Sequence, residues 1–95
     1  MKKTVKNASA AQDKASKVRA AYKAILAHFK RTGGIQWEST IADGAGLDIS
    51  HVCIAARQLS DEGMLFPVDH KYIKTTSMMI FAYALTGQGR MALGF

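Results

Sequence analysis

The chain has 95 residues, one Cys, one Pro and a formal net charge of +6. This length suits one small domain, and an apolar content of 48% excludes a wholly disordered chain. A single Cys excludes an internal disulfide framework and suits a reducing, cytoplasmic setting, while no apolar run approaches the ~18 residues of a membrane span.

The first elements carry the charge. Met1–Arg31 holds nine Lys/Arg against Asp13, a local charge of +8, and the remainder carries −2. Residues 1–8 are polar and basic apart from Val5. They are expected to form a flexible tail, and no apolar stretch follows them as a secretory signal would require. Residues 9–95 are expected to form the folded domain. Ser9 and Gln12 have the spacing of a capping box. Ala11, Ala15, Val18, Tyr22, Ile25, Leu26 and Phe29 then recur at helical spacing, which predicts one long first helix. Gly33-Gly34 supplies its stop.

A short strand near Ile35-Gln36 is expected next. Trp37–Ala45 reads as a second helix with Ile41, Ala42 and Ala45 inward, broken at Gly46. Asp48 stands at an N-cap position before a third helix over Ile49–Glu62, because its carboxylate can accept orphan backbone N–H groups. Val52, Ala55, Ala56 and Leu59 form its apolar face, and Gly63 ends it. Met64–Val68 and Tyr72–Leu85 are rich in β-formers. Pro67 points to an edge strand. Polar residues cluster at Asp69–Lys71 and Lys74–Ser77. Either can form the hairpin tip, and symmetric pairing puts the midpoint near Lys74-Thr75. Thr86 caps a last short helical stub.

The stretch Glu38–Leu59 resembles a helix-turn-helix. In that pattern a small residue precedes a turn Gly by four positions, an apolar residue follows the Gly directly, and a Val or Ile comes six after it. Ala42, Gly46, Leu47 and Val52 fill these places, and Ile41, Ala45 and Ala55 fill the other positions that the motif buries. Gly44 departs from the pattern and weakens its helix. Gly63-Met64-Leu65, a hairpin, and then Leu85-Thr86-Gly87-Gln88-Gly89-Arg90 resemble the wing and the Leu-Thr-x-x-Gly-Arg stretch of MarR-like regulators. The resemblance spans about three quarters of the chain by order of elements. It implies an α+β winged helix: a three-helix bundle with a helix-turn-helix and a small antiparallel sheet forming the wing.

Such domains set the third helix in the major groove of double-stranded DNA and the wing against the backbone. The resemblance therefore nominates Ser50, His51, Ile54, Arg57 and Gln58. Arg57 suits a guanine, Gln58 an adenine and Ile54 a thymine methyl. Ser50 and His51 suit a phosphate at the helix N-terminus. At the wing Lys71 and Lys74 are candidate phosphate contacts, and Lys2, Lys3 and Lys6 are candidates in the tail. Glu38–Glu62 nevertheless sets Arg57 against five acids, a charge of −4. Attraction for DNA must then come from the first helix, the tail and the wing.

Catalytic and metal chemistry find no constellation. His51 and Cys53 are two apart on a helix, so their side chains diverge by about 200° and cannot share an ion. There is no CxxC pair for zinc and no phosphate-binding loop. No cofactor is expected, and Cys53 reads as a packing residue. The aromatics fall at core spacing rather than as a stacking platform. Met78–Ala82 is apolar at successive positions, so both faces of its strand need cover, and a homodimer is expected. The leading function is a sequence-specific DNA-binding regulator. The alternatives are a winged-helix module that binds protein, such as an adaptor or anti-repressor, and a non-specific DNA-binding or replication accessory factor. An enzyme is not expected.

Overall fold

From Lys2 to Thr32 the sequence contains no Gly and no Pro, and Ala and Lys dominate its start. Both are strong helix formers. In the computed structural model, which describes the backbone of residues 2–94 and the side chains of residues 14–94, this stretch is one helix, α1 (Lys2–Thr32). It begins at Lys2 and not at Ser9, so the backbone has no break after Ala8. Lys30 and Arg31 in the last turn complement the negative end of the helix dipole. Gly33 and Gly34 both have positive φ, and the Gly33 N–H donates to the Phe29 carbonyl at 2.8 Å. Beyond them His28, which is buried, meets Gln36 Oε1 through Nε2 at 3.0 Å. Gln36 Nε2 donates to the Gly33 carbonyl at 2.7 Å. That contact fixes the exit into β1 (Gln36–Trp37).

Helices α2 (Glu38–Ala45) and α3 (Ile49–Asp61) follow. Between them Gly46 has φ +66°, a left-handed conformation that costs a residue with a Cβ ~1 kcal/mol or more. The Leu47 N–H donates to the Ala42 carbonyl at 3.0 Å and closes the turn. Ala42 and Val52 are buried and Leu47 is half-buried against the core, as the motif requires. Ala45 is a correction: it is exposed. It is the last residue of α2, and its methyl does not reach the core that Ile41 fills from one turn earlier.

Strands β2 (Leu65–Ile73) and β3 (Met78–Leu85) form the wing, and the antiparallel sheet has the order β1-β3-β2. β2 is an edge strand, so Pro67, opposite Tyr83, removes no inner ladder bond. The pairing skips Val68 between Pro67 and Asp69. This bulge keeps Asp69–Lys71 inside the strand. The hairpin tip is therefore Lys74–Ser77, and Ile73 pairs with Met78. The midpoint of the hairpin falls between Thr75 and Thr76, one residue beyond the symmetric expectation, and the bulge accounts for half of that shift.

Thr86 caps the last helix, α4 (Gly87–Ala92), by accepting the Gly89 N–H at 3.0 Å. Its hydroxyl donates to the Gly63 carbonyl. Gln88 Nε2 donates to the Glu62 carbonyl at 3.1 Å. The Leu-Thr-x-x-Gly-Arg stretch thus ties the chain after the wing to the end of α3. The core combines Ala21, Ile25 and Phe29 of α1 with Ile41, Val52, Ala55, Ala56 and Leu59 of the helix-turn-helix and Leu65 and Tyr83 of the sheet. Full burial of a side chain such as Phe29 contributes about 1.5–3 kcal/mol. This is the α+β arrangement of a winged helix-turn-helix: three bundled helices, a hairpin wing and a closing helical stub.

Candidate nucleic-acid interface

The start of α3 is set by Asp48. Its Oδ1 accepts the Ser50 N–H at 2.9 Å and the Ser50 hydroxyl at 2.8 Å. These two bonds, the backbone one first, hold the Asp48 carboxyl below its ordinary range. The consequence for the site is specific. Ser50 already gives both donors to a carboxylate, so a phosphate at this helix end must displace Asp48 or use other groups.

From this cap the apolar positions of α3 turn Val52, Cys53, Ala55, Ala56 and Leu59 into the core. The opposite row stays outside: Ser50, Ile54, Arg57 and Gln58 are exposed and His51 is half-buried. Ile54 is 37% exposed, so it is not a core residue. The Arg57 guanidinium carbon lies 5.8 Å from the centroid of the Phe81 ring, a cation–π arrangement that steers the side chain toward the sheet.

Beneath this row lies a residue that patterning did not single out. Glu38 is fully buried, its Oε1 accepts the Phe81 N–H at 2.8 Å, and its Oε2 has no hydrogen-bond partner. Burial raises its carboxyl pKa above the ordinary value. The Phe81 N–H, Cys53, the Arg57 charge and Tyr83 oppose the rise. The same burial, with Glu38 beside it, pushes the Cys53 thiol up to about 12. A thiol held that far from ionisation is a packing group and not a reactive one. With Glu38 inside, the acids exposed on the helix-turn-helix are Asp43, Asp48, Asp61 and Glu62. Glu62 Oε1 accepts the Tyr22 hydroxyl at 2.5 Å.

The two wing cations differ. Lys74 is exposed at the hairpin tip. Lys71 lies inside β2, opposite Ile80, and its ammonium is 4.5 Å from the centroid of the Trp37 ring. It therefore faces β1 and the start of α2, away from the tip. The side chains of Lys2, Lys3 and Lys6 lie outside the described residues.

The largest addition comes from α1. A groove of about 780 Å³ runs between α1 and α3. Ile54 and Gln58 line it from α3, and Lys14, Arg19 and Lys23 line it from α1, with Ala15, Val18 and Tyr22. Helical spacing in the sequence sets these cations off the apolar face of α1. Their place beside the third helix depends on how the two helices pack. The described residues contain no cluster of three His, Cys, Asp or Glu side chains able to hold a metal ion. Among them no helix is long and apolar enough to cross a membrane.

No protein-family model matches this chain, and no curated protein matches it. Solved structures do. A double mutant of Lactococcus lactis ZitR in apo form superposes with a TM-score of 0.57 at 13% identity over 97% of this chain. The transcriptional regulator PA4135 superposes with a TM-score of 0.55 at 12% identity over 94%. The chain spans 65% of the first and 68% of the second. At these identities the likeness is one of fold. That fold is the winged helix-turn-helix.

Proposed function

We propose that this chain is a sequence-specific regulator of transcription that binds double-stranded DNA through α3. The observation that carries the reading is the exposed row Ser50, Ile54, Arg57 and Gln58, of which Ile54 and Gln58 share one groove with the α1 cations Lys14, Arg19 and Lys23. In this reading α3 lies in the major groove. Arg57 reads a guanine, Gln58 an adenine, and Ile54 packs on a thymine methyl. Ser50 and His51 lie at the phosphate-facing end of the helix. The α1 cations, Lys74 at the wing tip, Lys71 and the basic Lys2, Lys3 and Lys6 supply backbone attraction and offset the exposed acids. The fold shared with the transcriptional regulator PA4135 favours the same reading. No catalysis and no cofactor enter it, and it implies a cytoplasmic protein.

A homodimer belongs to the proposal. Ile80 and Ala82 of β3 are covered within the chain, so the strand itself asks for less cover than its sequence implied. Ile35 is 60% exposed and Met91 is 78% exposed. Ile35 lines a smaller cleft with Arg90 of α4, and Met91 follows Arg90 on that helix, which makes this region the candidate dimer surface.

Salt titration of duplex binding tests the reading. The logarithm of affinity is expected to fall linearly with the logarithm of salt concentration. A chain lacking residues 1–8 is expected to show a smaller slope and to keep its preference for a selected site over random duplex. Salt-independent binding overturns the proposal. Loss of all affinity on that deletion would make the protein a non-specific binder led by its basic start.

A further inference from the structure

Contact with DNA leaves the apolar part of the α1–α3 groove without a task. At about 100° per residue, Ala15, Val18 and Tyr22 form one stripe along α1. Lys14 lies on one side of it, and Arg19 and Lys23 lie on the other. The stripe continues, toward the start of α1, the face that buries Ala21, Ile25 and Phe29 lower down. Above that level the cover is incomplete. Val18 and Tyr22 are half-buried, Ala15 is exposed, and Ile54 closes the far wall while remaining 37% exposed. Phosphates match the three cations but gain nothing from this apolar surface.

We propose that the groove seats an acidic amphipathic helix from a partner protein, which covers Ile54 and Gln58 and so withholds α3 from DNA. Charge and shape carry the choice of occupant. An apolar stripe with cations on both sides complements a helix whose apolar stripe has Asp or Glu on both sides. Lys14 to Lys23 spans about 13.5 Å of helix axis, which matches three apolar anchors at i, i+4 and i+7. None of Lys14, Arg19 and Lys23 has an ion-pair partner among the described residues. A second copy of the chain fits worse, because two-fold packing would set each set of cations against the same set. The seat stands on the groove alone; its regulatory consequence rests on the DNA-binding reading above.

The test is fluorescence anisotropy with a labelled helical peptide that carries Leu at i, i+4 and i+7 and Glu at the flanking positions. A second peptide carries Lys in place of every Glu. With the full chain at low salt, the acidic peptide is expected to bind saturably, and at least about tenfold more tightly than the basic one. Ile54→Ser and the exposed double change Arg19→Glu/Lys23→Glu are each expected to weaken it about tenfold or more. Lys30→Glu, outside the groove, should leave it unchanged. The acidic peptide should also release bound duplex. No saturable binding, equal binding of the two peptides, or binding undiminished in both groove variants overturns the proposal. A dimer converted to a monomer by Ile54→Ser, with no peptide bound, would assign the groove to a second copy and overturn it as well. Peptide binding in a chain with no affinity for duplex would remove the DNA reading and keep the seat.

Discussion

Glu38 connects the three parts of the helix-turn-helix face. It sits at the start of α2, accepts the Phe81 N–H of β3 and lies against Cys53 of α3. Because burial raises its pKa in the folded state, the sign of its effect on stability is determined. Below the ordinary value of 4.5 both folded and unfolded chains hold the proton, and the favourable contribution is complete. As pH rises past that value the unfolded chain releases its proton first. Stability then falls until the folded carboxyl has ionised too. Glu38→Gln cannot ionise and keeps an acceptor for the Phe81 N–H. Its stability relative to the parent chain should therefore grow as pH rises above this range, measured by urea unfolding at a series of pH values. Parallel profiles would show that Glu38 does not titrate in this way. Arg57 makes the complementary case on the outer side of α3. Arg57→Ala should cost ~1–3 kcal/mol on a selected duplex and much less on random duplex. Equal losses in a binding assay would reduce Arg57 to a phosphate contact.

Two elements were easy to read because their signals are local. The Ala42, Gly46, Leu47 and Val52 pattern sets a turn whose geometry needs a small residue, a positive φ and two apolar plugs. Thr86 as a cap uses its own hydroxyl on a nearby N–H. What the sequence left open at this scale was the wing tip. The bulge at Val68 absorbs one residue of β2, and only pairing with β3 reveals it. Gly89 is another position whose reason lies in another element. A Cβ there would stand 2.2 Å from the Met64 carbonyl oxygen and 3.1 Å from Leu85 Cδ2. The first contact is with backbone, which cannot swing aside. Gly89→Ala should cost about 1–3 kcal/mol of folding stability by pushing α4 away from the start of β2. Gly87→Ala, with no atom within 4 Å of its added Cβ, should be close to neutral. Chemical denaturation of the two variants checks the contrast.

At the scale of the molecule α1 sets the shape. A helix of 31 residues is about 46 Å long, and the largest dimension of the chain is 48 Å. The domain body buries α1 from Ala21 to Phe29, and the described turns before that project past it. This geometry concentrates the basic third of the chain along one edge and brings part of it beside α3. It also leaves exposed Ile35, which lines the cleft by α4, and Met91 of α4 itself. Sedimentation equilibrium is expected to give twice the 10.3 kDa chain mass, reduced to the monomer mass by Met91→Glu. A monomer in the parent chain at all concentrations would remove the dimer from the proposal.

The sequence alone determined the order of elements, the helix-turn-helix turn and the exposed row of α3. Each of these follows from spacing and capping within a few residues. It also determined that the charge lies at the start of the chain and not on α3. Tertiary structure decided where that charge acts. Packing of α1 against α3 puts Lys14, Arg19 and Lys23 in one groove with Ile54 and Gln58. It turns Lys71 onto Trp37 and takes Glu38 out of the surface acids altogether. Such placements depend on distances between residues far apart in sequence, and helical or strand periodicity carries no information about those distances.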